Sequence, residues 1–264
     1  MHAVLLARPE QLQYDAVARF LAAYRGVPLF DARIAAKHSW GFLGEKLTEE
    51  EARRLADAAS AQGLEAAVVP EAKAGPLPDP LPVHELRCSP EALAYTVGTS
   101  PEERRAPWDS VAVASAVGLR EEFRSQKTVQ EGPSQGQRLA SLGITLATGI
   151  PIHIGGKKKE VVKNVVKADF FLYMDVFLRV GPAYSRLHVD AQKFRFTYLG
   201  ERRQPAVLGN FRLVLEDLAR YAPGARLNKG VRTSLAGQPF LAAGYDSMAD
   251  YEKECRWLLA LASA

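Results

Sequence analysis

Five prolines, at positions 70, 76, 78, 80 and 82 within "PEAKAGPLPDPLP", constrain this chain more than any other feature. Each fixes φ at about −65° and removes a backbone donor, so the stretch is expected to be neither helix nor inner strand. It reads as a semi-extended polyproline II linker over residues 71–82. A boundary there divides the 264 residues into a small domain, 1–70, and a larger one, 83–264. Each is long enough to bury a core of its own.

The first part has the pattern of a compact α/β module. "HAVLLA" is a buried-type strand, and Leu12, Val17, Phe20, Leu21 and Tyr24 form one helical stripe that Gly26 ends. "PLFDARIAAK" is open between a strand and a short helix, and "GFLGEKL" is strand-like. In "LTEEEARRLADAASAQG", Thr48 and Glu51 have capping-box spacing, Leu55 and Ala59 mark an apolar face, and Gly63 is the stop. "LEAAVVP" closes the unit as a strand. This order predicts a ferredoxin-like split βαβ sheet with helices on one face.

The second part reads as a meander. Short strands are expected at "VHELRC", "ALAYTV", "PWDSVAVASAV", "DFFLYMDVFLRV", "RLHVD" and "KFRFTYL". In the last, Phe194, Phe196 and Tyr198 alternate with Lys193, Arg195 and Thr197, the mark of a half-buried strand. Trp108 is expected to anchor the core. Helices follow at "PAVLGNFRLVLEDLARYAPG" and "DSMADYEKECRWLLALASA", the latter with Met248, Tyr251, Cys255, Leu258 and Leu259 on one side.

The α/β module, the proline-rich linker, "PWDSVAVASA", "RLHVDAQKFRFTYLGERR" and the helix "NFRLVLEDL" together resemble bacterial two-domain proteins of uncharacterised function. Their second domain is similar to a pleckstrin-homology-like barrel, a meander closed by a helix. The fold class that this resemblance implies is α+β: the ferredoxin-like domain, then a pleckstrin-homology-like β-barrel with C-terminal helices and an insertion at 123–167. Such a barrel is a scaffold for binding peptides, lipid headgroups or proteins, and it carries no catalytic residues over to this chain.

The insertion holds an uncharged run from Leu139 to Gly156, followed by Lys157, Lys158, Lys159, Lys163 and Lys167. Four glycines in that run, with Pro151 and His153, make it too polar and too broken to span a membrane. "GGKKKE" lacks the spacing of a phosphate-binding P-loop. "KKKEVVKNVVK" fits a short basic helix or a valine-rich strand, and the choice stays open. Its lysines, with Arg202 and Arg203, are the candidates for contact with an anionic surface or a partner. Base stacking on the first domain is a poor fit, because its strands offer one aromatic, so nucleic acid is not the expected partner. A weak nucleic-acid binder using the stretch Lys157 to Lys167 stays a third alternative.

No complete catalytic signature is present. His188 and Asp190 are two apart on a strand and face one way, as a metal or acid/base pair would, and Glu201 is the nearest further acid. These three are the candidates should the protein be a small hydrolase or transferase with a site between its domains. A zinc centre needs three or four ligands, so no metal is expected, and no cofactor motif is visible. Cys88 and Cys255 lie apart and read as small buried hydrophobes, and the N-terminus has no basic leader, so a cytoplasmic protein is expected. The function expected is a non-enzymatic binding or adaptor role toward a protein, a peptide or an anionic partner.

Overall fold

The computed structural model describes residues 1–9, 12–131 and 159–263, with side chains outside 121–168. The fold is mixed α+β. Met1–Leu119 and Phe171–Ala264 form one compact unit, and Arg120–Phe170 forms a second. The strands β7 (Val111–Glu131) and β8 (Lys159–Val180) contribute residues to both. "VVKNVVK" is therefore strand, while Lys157, Lys158 and the run Leu139 to Gly156 lie outside the described residues.

The small sheet is antiparallel, in the order β2-β1-β3, from β1 (His2–Leu6), β2 (Phe42–Leu47) and β3 (Ala66–Pro70). Helices α1 (Tyr14–Arg25), α2 (Leu29–Lys37) and α3 (Glu49–Ala61) connect these strands. The predicted capping box is formed, with Thr48 Oγ1 accepting from the Glu51 N–H and the Glu51 carboxylate accepting from the Thr48 N–H at 2.9 Å. "PLFDARIAAK" resolves to helix: Ala32 and Ala36 are buried four apart, a helical period.

The large sheet has the order β10-β7-β8-β9-β4-β5-β6. Its remaining strands are β4 (Pro80–Cys88), β5 (Leu93–Val97), β6 (Glu103–Ala106), β9 (Ala183–Asp190) and β10 (Arg226–Leu227). It is open and mixed, since β4 pairs with β9 and β10 with β7 in parallel, and the described strands close no barrel. Helix α4 (Val207–Tyr221) packs Phe211, Val214, Leu215 and Leu218 into the core on one face of this sheet. Helix α5 (Lys229–Leu235) follows β10, and α6 (Met248–Ala262) lies on the other face.

Two expectations need correction. Pro80 and Pro82 belong to an inner strand, β4, instead of a free linker. Their spacing of two turns both ring nitrogens to one side, where β5 pairing begins only at Val83 and the Pro82 carbonyl accepts from the Gly98 N–H at 2.7 Å. Leu81 between them faces β9. "KFRFTYL" is not a strand: Arg195 makes one isolated bridge to Glu85, and Thr197–Arg202 is a 3-10 turn. The alternation correctly put Phe194 and Phe196 in the core, but burial period alone supplies no neighbouring ladder.

The proline segment crosses a unit that two tryptophans tie together. Trp257 of α6 lies in the apolar core of the small sheet, and its indole N–H donates to the Leu6 carbonyl at 2.7 Å. Trp40, in the turn before β2, lies instead in the core between the large sheet and α6, stacked on Tyr245 at 4.6 Å. The next residue, Gly41, has φ of 86°, and a Cβ there would come within 2.1 Å of the Trp257 ring. Only glycine fits both demands. Gly41→Ala should lower stability by about 1–3 kcal/mol through overpacking. Trp257→Ala should lower it by about 3–5 kcal/mol, both read as falls in the urea midpoint at unchanged m.

Candidate functional site

Residues 75–78 roof a cavity of about 440 Å³ whose other walls are the β8–β9 turn and the C-terminal end of α6. Its lining includes Lys73, Arg179 and Arg256, the Tyr184 ring and Leu259, and no acidic side chain among the described residues. Three cations thus converge on one concavity of the size that small ligands occupy.

The roof is fixed to the floor by these same cations. The Arg256 guanidinium donates to the Ala74 carbonyl at 2.7 and 3.1 Å and to the Gly75 carbonyl at 3.1 Å. Its third partner is the Glu45 carboxylate at 2.9 Å. Lys73 donates to the Ser263 carbonyl at 2.7 Å, and Arg179 makes a long bond of 3.4 Å to that of Ala262. Tyr184 and Ser263 share a hydroxyl–hydroxyl bond of 2.9 Å. Lys73 and Arg179 meet no carboxylate within ion-pair distance among the described residues.

Elsewhere on the same strands and helix, a buried polar network fixes β8 and β9 against α6. Asp175 is fully buried and directly opposite His188 in the β8–β9 ladder. It accepts two bonds from Arg186, at 2.9 and 3.0 Å, and one from the Tyr251 hydroxyl at 2.7 Å. His188 Nδ1 is 2.8 Å from the same carboxylate, and Ser115 donates to the Asp175 carbonyl or bonds Tyr251. Arg186 reaches on to Glu252 at 3.0 Å. Burial alone would raise the Asp175 pKa, but hydrogen bonds from His188 and Arg186 and their charge outweigh it and leave the carboxyl below its ordinary value.

The sequence candidates do not assemble into one site. His188 is paired with Asp175, whereas Asp190 meets Lys193 at 2.9 Å and the Gln192 N–H at 3.0 Å. Glu201 is exposed on the 3-10 turn, and none of the three lines the cavity. Arg202 is a brace: it holds Asp217 of α4 at 2.9 and 2.7 Å, and Arg203 is exposed. Lys159, Lys163 and Lys167 fall on β8, where only the backbone is described.

One group among the described residues could share an ion: His38, Asp246 and Asp250, whose ligand atoms lie within 4.8 Å of one another. Its members already have other work. Asp250 accepts from the Asp246 N–H and Ser247 at the start of α6, and Lys37 is ion-paired with Asp246. Burial pushes the Asp250 carboxyl up, but the hydrogen bonds from His38 and the Asp246 N–H, with the His38 charge, leave it lowered. The group is accounted for as a helix cap that ties α2 to α6.

Lys73, Arg179, Arg256, Asp175 and Arg186 were not singled out by sequence. Two of them carry a signal in hindsight. Asp175 stands alone within the apolar "FFLYMDVFL" and Arg256 within "CRWLLAL", and a lone charge in a buried run requires a partner. Comparison with known proteins finds no family model, no characterised protein and no solved structure that matches the chain.

The network yields a pH prediction. Because the folded pKa of Asp175 is lowered, its contribution to stability is present above the unfolded carboxylate pKa of about 3.9. It is lost as pH falls through the folded value. Asp175→Asn should cost about 3–5 kcal/mol at pH 7, by leaving Arg186 uncompensated, and should flatten the acid limb of stability against pH. An acid limb as steep as that of the unmodified chain would remove Asp175 as its source.

Proposed function

We propose that this protein is a non-enzymatic binding protein that takes a small anionic ligand in the cavity beneath residues 75–78. The observation that carries this reading is the convergence of Lys73, Arg179 and Arg256 on a lining without an acidic side chain among the described residues. Each cation also meets a backbone carbonyl, and those of Lys73 and Arg179 lie at the end of α6, a structural role. That role uses few of their donors, since an ammonium has three and a guanidinium five. A carboxylate or phosphate group supplies the acceptors for the rest.

The enzyme reading has less behind it, because His188, Asp190 and Glu201 share no cavity wall with one another at this site. The basic stretch from Lys157 to Lys167 remains a further anion-attracting candidate, but the present reading does not rest on it. The ferredoxin-like and pleckstrin-homology-like assignments stay analogies. The helix-connected order of the small sheet supports the first, and the meander β4-β5-β6 with α4 packed behind it supports the second. The two cysteines are free thiols, in keeping with a cytoplasmic protein.

A separate observation favours an adaptor role beside ligand binding. Phe30 and Ile34, one turn apart on α2, are 73% and 52% exposed, with Leu29 and Val27 also exposed nearby. An apolar stripe of this kind suits a protein or peptide partner. A two-hybrid screen repeated with Phe30→Ser and Ile34→Ser tests it: a partner lost with both supports the adaptor reading, and retention of every partner removes it.

For the anion reading, calorimetric titration with citrate and pyrophosphate at low salt should show saturable binding. Arg179→Ala and Lys73→Ala should each raise Kd about tenfold, the loss of one charge-assisted hydrogen bond, while lowering the melting temperature by no more than about 2–4 °C through the carbonyl bond also lost. Binding by neither anion, or binding unaffected by both substitutions, would remove the site.

A further inference from the structure

A second cavity, of about 580 Å³, adjoins the first and shares Arg179 and Ala262 with it. Its walls bring Trp108, Tyr221, Asp109 and Arg226 together with Arg179. Trp108 follows β6 and Tyr221 ends α4, and their rings stack at 5.4 Å and 22°. Both are half-buried, and Trp108 is held in place by its indole N–H, which donates to the Ser89 carbonyl at 2.9 Å. Arg226 makes one long bond of 3.4 Å, to the Leu261 carbonyl. Among the described residues no carboxylate is within ion-pair distance of Arg226 or Arg179.

The two cavities therefore present a fixed order of chemistry along the end of α6: an aromatic wall, two guanidinium groups, then Lys73 and Arg256. Resting on the anion-site reading above, we infer that the ligand is a nucleoside phosphate, its base against Trp108 and its phosphates on Arg226, on the shared Arg179 and, in the first cavity, on Lys73. A flat heteroaromatic ring gains from stacking on an indole, and phosphate oxygens match the planar fork of arginine. Neither an aliphatic polyanion nor an uncharged aromatic uses both ends. Asp109, the acid in the second cavity, repels phosphate at its own end and offers an acceptor to sugar hydroxyls or to a base amino group. That charge order sets the direction in which the ligand lies.

The chain provides its own reporter. Of its three tryptophans, Trp40 and Trp257 are fully buried in the two cores, so quenching by a small solute reports on Trp108. The full-length protein is titrated with ADP, pyrophosphate and adenosine, by tryptophan fluorescence and calorimetry. ADP should quench and bind at least tenfold more tightly than pyrophosphate or adenosine. Trp108→Ala should bring ADP down to the affinity of pyrophosphate while leaving pyrophosphate unchanged. Trp108→Phe, which keeps a ring against the core, should retain most of the ADP advantage and guards against a variant that fails to fold. Arg226→Ala should weaken ADP about tenfold. If ADP binds no more tightly than pyrophosphate, the nucleoside inference is wrong and the anion site stands. If no anion binds at all, both are wrong.

Discussion

The reciprocal placement of two tryptophans is the interaction on which the rest of this structure depends. Trp257 leaves the C-terminal helix for the core of the small sheet, and Trp40 leaves the small-sheet module for the core beneath the large one. Each indole is fully buried. Side chains of this size dominate core energetics, so neither core is complete without a residue from the other end of the chain. Helix α6 can serve both because it is buried almost all round, with Tyr251, Cys255 and Leu258 toward the large sheet and Ala260 and Leu261 toward the small one. The turn that delivers Trp40 accepts strain for this. Trp40 has φ of 44°, a conformation that costs a bulky residue roughly 1–3 kcal/mol and persists only when its surroundings over-determine it.

Once α6 is fixed in this way, the location of the cavity follows. The proline segment has to pass from the end of β3 to the start of β4 across the end of α6, and Arg256 holds it there through the Ala74 and Gly75 carbonyls. The Asp175 network fixes β8 and β9, the strands whose turn forms the opposite wall, because Arg186, His188 and Tyr251 all converge on one carboxylate from β9 and α6. A fully satisfied buried network rigidifies, whereas a partly satisfied one would be destabilising. Asp175 is in the first class, with four hydrogen bonds to its two oxygens.

Much of the fold was legible because it is written locally. The capping box at Thr48 and Glu51 and the middle of the stripe, Val17, Phe20 and Leu21, depend only on neighbours in sequence and appear where their patterns put them, whereas Leu12 precedes the helix and Tyr24 is exposed at its end. What failed to read through was non-local. Pro80 and Pro82 look like a linker until β9, a hundred residues later, is known to lie on the side where Leu81 can pair. His188 and Asp190 look like a pair because they share a strand face. His188 finds its partner across the ladder on β8, in a residue that sequence shows only as a lone acid in an apolar run. The cavity was illegible for the same reason: Lys73, Arg179 and Arg256 come from a 3-10 turn, a strand end and a helix more than seventy residues apart from one another.

The balance of charge at the cavity decides whether an anion can be held there. The end of α6 opposes an anion with the equivalent of roughly half a negative charge. Lys73, Arg179 and Arg256 oppose that with three positive charges, of which Glu45 offsets one at Arg256. About one and a half net positive charges therefore remain, enough to favour an anion. Lys73 and Arg179 are exposed, so attraction by them is screened within about 8 Å at physiological salt. The other side of the balance is entropy. Proline-restricted backbone anchored by Arg256 has little freedom left to lose when a ligand arrives, so the weak electrostatic gain is not consumed in ordering the roof. On the proposed anion reading, a glycine-rich roof with the same cations would bind more weakly, because ordering it would consume part of the electrostatic gain.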